Sequence, residues 1–278
     1  MPALIRRAYK DIVWHTDPDL ESEGVRIAFS ERTGGRSAAP YSSLNMGDRV
    51  GDEPATVIAN RRLLMTALGL DSATQDQLVS CFQVHGTTVA RIDEPQGLRT
   101  VPDCDALMTA TPGVPLLICI ADCVPIIVVA RRPQRAVAVI HSGWKGTLAQ
   151  ISAAVVAALQ EAYGADPVEL RAYIGPYIGP GSFEISADVA ARFAEAFPGL
   201  KQQVASHDAD RSTLDLGAAV SQTLLDAGLM SANITVLGDD TVTNTERYYS
   251  YRSEDGRTGR QAALACLLPD AVGRASHA

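Results

Sequence analysis

"LLICIADCVPIIVVARRPQRAVAVIHSGWKG", residues 116–146, decides how this chain folds. "PLLICIA", "PIIVVA" and "AVAVIH" are apolar at consecutive positions, without the alternation of a half-exposed strand. Runs of that length read as buried core strands. "RRPQR" joins the second run to the third. At the mouths of these runs stand groups that core strands do not need: Asp122 and Cys123 before one, His141 and Ser142 at the end of another.

Outward from this core, "GVRIAFS" predicts another strand, followed by the long Gly/Ser/Pro/Asn-rich loop "ERTGGRSAAPYSSLNMGDRVGDEP". A loop that long is usually functional or disordered. "PATVIANRRLLMTALGL" carries Val57, Ile58, Leu63, Leu64 and Leu68 at helical spacing. "QLVSCFQVHGTTVARI" predicts two short strands broken around residues 83–87, and "GTLAQISAAVVAALQEAYG" one helix stopping at Gly164. Then come a strand "ELRAYIG", helices "SADVAARFAEAF" and "LDLGAAVSQTLLDAG", a strand "NITVLG", and the stretches "RYYSYR" and "GRQAALACLL". Strands in runs with helices between some of them place the chain in the α+β class with mixed layering. No linker, repeat or low-complexity segment divides residues 1–278, so one continuous domain is expected. A GxGxxG in a regular βαβ alternation is missing, which rejects a nucleotide-cofactor dehydrogenase.

With 46% hydrophobic residues the chain can bury a large core. A formal charge of −8 argues against binding nucleic acid, while leaving room for a local pocket for one small anion. Five cysteines and an opening, "MPALIRRAYKDIVWH", without a continuous apolar stretch favour reduced thiols in the cytoplasm. The longest apolar runs are strand-sized, so no membrane role is expected. Nor is there a long heptad pattern, and a monomer is the expected state.

His85 in "CFQVHGTTV", Cys123 in "ADCVP" and His141 in "VIHSGW" each occupy a break beside an apolar strand. Two imidazoles and a thiolate suit zinc with a fourth position open, and the soft ligand also admits copper. The same three residues serve a second reading, in which Cys123 is a nucleophile activated by a histidine. In a third, Cys123 is a small buried hydrophobe and the histidines are satisfied turn residues. Spacing does not separate them. Asp122 is a base, a partner of the site or a turn former. Lys145 precedes a helix beginning near Thr147, where amides and ammonium together can hold an anion, or it is simply solvated. Arg32, Arg36, Asn45, Asp48 and Arg49 in the long loop suit a polar ligand, as they suit a solvated loop. "ERYYSYRSEDGRTGRQ" sets arginines among tyrosines, able to stack a base or hold a phosphate, or to form an edge strand and surface turn.

Taken together, "FSERTGG", "YSSLNMGDRVGDEPATVIANRRLL", "QVHG", "DALMT", "ADCVPIIV", "HSGWKGT", "IGPYIGPGSFEI" and "YYSYRSEDGRTGRQ" resemble, in this order, the laccase-domain purine nucleoside phosphorylase family. Its members are also called multicopper polyphenol oxidase-like or peptidoglycan editing factors, and the resemblance spans about residues 25–268. It implies a single-domain α/β/β/α sandwich with mixed sheets and a metal site, usually zinc, at His85, Cys123 and His141. It implies phosphorolysis of adenosine, inosine, guanosine and methylthioadenosine, and deamination of adenosine. Purine nucleoside and phosphate are then the partners. Under this resemblance Arg32, Lys145 and Arg252 are expected at the phosphate by charge, Asn45 and Gln83 at the substrate, and Asp122 among the catalytic groups. Lys145 stands where the family usually has arginine, and Gly181, Ser182 and "DDTVTNTER" replace stretches that often carry cysteines. Two other activities attach to the family's names: copper-dependent phenol oxidation and Cys123-dependent amide hydrolysis. Five histidines, with His15 and His207 outside the matched motifs, are too few for a four-copper oxidase. A small-molecule sensor without turnover is the non-enzymatic alternative.

Overall fold

The computed structural model of the chain describes residues 2–206 and 211–269; His207 and the ends of the expected domain lie outside them. The strands are β1 (Ile5–Tyr9), β2 (Ile12–Thr16), β3 (Val25–Ser30), β4 (Val79–Cys81), β5 (Val89–Arg91), β6 (Arg99–Val101), β7 (Ala106–Thr109) and β8 (Leu116–Ile120). They continue with β9 (Val124–Ala130), β10 (Ala136–Ser142), β11 (Arg171–Ile174), β12 (Glu184–Ser186), β13 (Val204–Ser206), β14 (Arg211–Leu214), β15 (Ile234–Val236) and β16 (Gln261–Leu267). The helices are α1 (Pro18–Ser22), α2 (Pro54–Ala67), α3 (Ser72–Gln75), α4 (Trp144–Leu148), α5 (Ile151–Tyr163), α6 (Ala187–Ala196) and α7 (Leu216–Asp226).

Two mixed sheets pack face to face. The first runs β1-β2-β3-β16-β8-β4-β6, the second β15-β11-β9-β10-β7-β5, and β12-β14-β13 form a small third sheet. Ile127, Val129, Val137 and Val139 of the second sheet meet Phe29, Ile118 and Ala263 of the first. The intervening residues Ile126, Val128, Ala138 and Ile140 face the other way, onto α5 and α7. Leu117 and Leu264 on the outer face of the first sheet pack on Leu64 and Met65 of α2. The order is therefore helix, sheet, sheet, helix, and the uninterrupted apolar runs follow from it, since β8, β9, β10 and β16 are covered on both faces.

The strand at 25–30, the helix at 54 and the three central strands stand where the sequence places them. The single helix expected from Gly146 to Gly164 is two, because Gln150 adopts a left-handed φ of 59° between α4 and α5. Gly164, with φ 66°, ends α5 as expected. Between β3 and α2 there is neither helix nor strand. This long loop is ordered by side chains: the Asn60 amide donates to Ser37, to the Ser43 carbonyl and to the Asn45 carbonyl. "RYYSYR" forms turns rather than a strand, with Tyr248 and Tyr249 fully buried. Among the described residues no helix is long and apolar enough to cross a membrane.

Candidate active site

Three side chains meet at one end of the sandwich because of where the chain changes sheets. His85 lies in the crossing from β4 of the first sheet to β5 of the second, and Cys123 in the crossing from β8 to β9. His141 sits near the end of β10, opposite Pro125. The ligand-capable atoms of the three lie within 4.8 Å of one another. Cys123 Sγ is 3.9 Å from His85 Nε2, and the imidazoles pack edge to face with centroids 4.7 Å apart. His141 is buried, Cys123 half-buried and His85 exposed.

Asp105, fully buried, ties the group together. The successive backbone N–H groups of Val84, His85 and Gly86 donate to its carboxylate at 3.2, 2.9 and 2.7 Å. Such a nest of amides around an anion needs a left-handed residue within it, which accounts for the φ of 61° at His85. His141 Nδ1 stands 2.8 Å from Asp105 Oδ1, and its backbone N–H donates to the Asp105 carbonyl. A carboxylate at Nδ1 keeps the proton there and directs Nε2 toward the cavity. Burial raises the Asp105 carboxyl, but the hydrogen bonds from His141 and the nest hold it below the usual carboxylate range. Gly143 is the other supporting residue. A Cβ there would stand 2.7 Å from His85 Cδ2 and 3.1 Å from Cys123 Sγ.

Burial pushes the Cys123 thiol up, but the charge and hydrogen bond of His141, followed by those of His85, bring it down to about 6. Burial lowers His141, while the Cys123 thiolate and the Asp105 hydrogen bond raise it to about 9. With no metal bound, both shifts favour a thiolate facing an imidazolium.

The trio opens into a cavity of about 500 Å³ whose wall includes Arg49, Phe82, Phe183, Tyr251, Arg252 and Arg260. Arg49 lies over the Phe82 ring at 3.7 Å, and Arg252 5.7 Å from the Phe183 ring centre. The residues singled out by sequence divide around it. Gln83 and Arg252 line the cavity, but the Gln83 amide is paired to both backbone groups of Cys119. Arg32, Asn45 and Lys145 are outside the wall. Arg32 is consumed by the carbonyls of Ser42, Thr245 and Tyr248 and by Glu254. Asn45 is fully buried, bonded to Gly47, Asp52 and Arg260. Lys145 is exposed beside the Trp144 ring, in a helix of five residues. Asp122 lines the cavity at a corner with φ 88°, and its oxygens accept from the Thr241 hydroxyl and the Arg252 N–H.

A family model described as multi-copper polyphenol oxidoreductase laccase matches residues 26–268. The chain belongs to that laccase family. A purine nucleoside phosphorylase of Corynebacterium glutamicum is 33% identical over 91% of this chain and 98% of its own length. One of Deinococcus radiodurans is 38% identical over 87% and 89%. YlmD from Geobacillus stearothermophilus, a solved structure, superposes with a TM-score of 0.86 at 29% identity, covering 96% of this chain and all of that one. The hypothetical protein YfiH of Bacillus licheniformis does so with 0.85 at 26%, over 94% and 98%.

The donor set of this laccase-family chain fits one metal ion. A thiol already lowered toward its anion and an imidazole whose Nε2 is freed by Asp105 are what a three-ligand site with an open position needs. Among the described residues no second such set accompanies it for further coppers. The remaining described histidine, His15, is buried against Glu31, Arg247 and Tyr248 in another cluster.

Asp105 and Gly143 were missed as site residues, although both lie inside quoted motifs. Arg61, also on the cavity wall, gives no sign of it in a helical pattern.

Proposed function

We propose that this chain is a zinc-dependent purine nucleoside phosphorylase acting on adenosine, inosine, guanosine and methylthioadenosine, with adenosine deaminase activity besides. The observation that carries the reading is a single cavity in which the His85, Cys123 and His141 donors share a wall with arginines and aromatic rings. The similarity to relatives named for phosphorolysis, along nearly the whole chain, supports it.

His85, Cys123 and His141 hold the ion, which when bound supplies Lewis acidity at the cavity floor. Arg49, Arg252 and Arg260 provide the positive charge for phosphate, and Phe82, Phe183 and Tyr251 the faces for a purine. Phosphorolysis forms a bond from a phosphate oxygen to the ribose C1′ and breaks the bond from C1′ to the purine, whose nitrogen carries away the electron pair. The arginines hold the attacking anion against the sugar and offset its charge. Asp122 acts as a positioning residue, fixing the Arg252 backbone, while Asp105 fixes His85 and His141. The free thiols suit the cytoplasm, and the chain acts as a monomer in this reading.

Metal content of the purified protein, with chromatography of adenosine incubated with and without phosphate, tests this reading. About one zinc per chain and adenine released only with phosphate, lost in His85→Ala, Cys123→Ala and His141→Ala, is the expected result. Absence of both metal and purine product refutes it. Copper loading with phenol oxidation as the sole turnover would favour the activity in the family's description.

A second reading has its own support. Cys123, His141 and Asp105 are arranged as nucleophile, base and orienting carboxylate, and the thiol is shifted to about 6. As an amide hydrolase the metal-free protein would turn over, and alkylation of Cys123 would abolish it. Under the zinc reading the ion protects Cys123 from alkylation.

A further inference from the structure

Two thiols stand behind the nest that holds His85. Cys81 ends β4, half-buried on the cavity wall, and Cys104, buried, immediately precedes Asp105. The chain after Cys81 bonds directly to the stretch that carries Cys104. The Phe82 N–H donates to the Val101 carbonyl at 2.7 Å, and the Cys104 N–H to the Phe82 carbonyl at 3.2 Å. Asp103, at a left-handed φ of 48°, turns the chain between those two bonds. Both cysteine side chains enter the core between the two large sheets, where the thiols hydrogen-bond to each other.

The other cysteines lie elsewhere. Cys119 and Cys266 face the opposite side of the first sheet, toward α2, and Cys123 belongs to the trio. The reaction proposed above uses neither Cys81 nor Cys104. Two reduced thiols in contact, one of them open to a cavity, form a dithiol that a two-electron oxidant can close. In reducing compartments such disulfides are usually transient and redox-sensing.

We propose that Cys81 and Cys104 are a redox site for hydrogen peroxide, and that their closure to a disulfide loosens the metal site at the trio; the second part rests on reading the trio as a metal site. Cys81 Sγ attacks one peroxide oxygen from the cavity side. The O–O bond breaks, and the departing oxygen leaves as water with the Cys81 proton, giving a sulfenic acid. Cys104 Sγ then attacks Cys81 Sγ, and the S–O bond breaks as the hydroxyl leaves with the Cys104 proton as a second water. The two thiols lose two electrons and the peroxide gains them. Closure brings the sulfurs from hydrogen-bond contact to about 2.05 Å, which draws Cys104 and the adjoining Asp105 toward Cys81. Asp105 holds the N–H groups of Val84, His85 and Gly86 and the His141 ring. The displacement therefore reaches two of the three ligands, while metal–ligand distances tolerate only about 0.2 Å.

The test treats zinc-loaded full chain with hydrogen peroxide, blocks it with iodoacetamide and digests it with trypsin without reductant. Arg91 and Arg99 lie between the two cysteines, so the disulfide joins two separate tryptic peptides in the mass spectrum. The second peptide also contains Cys119 and Cys123, and its fragmentation assigns the linked residue, expected to be Cys104. Competition with a chromophoric chelator on the same sample reads zinc affinity. It should fall about 10–100-fold, as it does when groups orienting the ligands are disturbed, and return with dithiothreitol. Cys104→Ser and, at the half-buried position, Cys81→Ser should remove both the linked peptide and the loss of affinity. Both variants retain Cys123 and so control for its own oxidation. The proposal fails if wild type gives no Cys81–Cys104 peptide, if the linked protein binds zinc within twofold of the reduced protein, or if both variants lose zinc on oxidation as readily as wild type. Reduced wild type that binds no zinc overturns the metal reading instead, and the linked peptide then decides the disulfide alone.

Discussion

Replacing Asp105 by Asn keeps the volume of the side chain and removes the feature the site depends on. The carboxylate accepts four N–H groups, from Val84, His85, Gly86 and His141 Nδ1. An amide has one accepting oxygen, so in either orientation its NH₂ faces two of these donors. Two bonds to a charged acceptor are lost, each contributing about 1.5–3 kcal/mol, or about 3 kcal/mol as a minimum. At about 2–4 °C per kcal/mol the melting temperature falls by about 6–12 °C. If the NH₂ instead meets His141, Nδ1 must become the acceptor and the proton moves to Nε2, the nitrogen needed as ligand. Loss of a ligand's supporting hydrogen bond typically costs about 10–100-fold in metal affinity. Thermal unfolding of the metal-free protein and competition for zinc with a chromophoric chelator measure the two effects separately. An Asn variant that binds zinc within twofold of wild type and melts at the same temperature would refute the reasoning.

In metal-free protein the rate of Cys123 alkylation should be half-maximal near pH 6, set by the imidazolium beside it, rather than near the ordinary cysteine value of about 8.5; a midpoint at the ordinary value would contradict the ion pair. Gly143→Ala, whose added methyl stands against His85 and Cys123, should cost about tenfold or more in zinc affinity while leaving the far-UV circular dichroism unchanged. Glu31→Gln should destabilise the protein by about 3 kcal/mol near neutral pH in urea unfolding, since it breaks a buried cluster with Arg6, His15 and Arg247. Burial raises the Glu31 carboxyl, but those partners hold it well below the usual range. Its stabilisation is therefore complete above the unfolded glutamate pKa of about 4.3 and is lost as pH falls below that, so the difference between wild type and variant should shrink in acid.

The sequence by itself determined the mixed α+β core and marked three side chains as candidates for one site. Apolar runs without alternation require cover on both faces, and β9 and β10 have it, with Ile127 facing one layer and Ile126 the other. His85, Cys123 and His141 were legible because each interrupts or ends such a run with a group the core has no use for. Asp105 was not, since it stands 20 residues from His85 and 36 from His141, and only the crossings between sheets bring them together. The tertiary structure alone decided which loop residues reach the cavity. A loop without strand pairing needs side-chain partners for its carbonyls and amides, and Arg32 and Asn45 from within it and Asn60 from α2 supply them. A side chain that satisfies its own backbone and one that binds a ligand have the same composition and differ only in what the fold places opposite them.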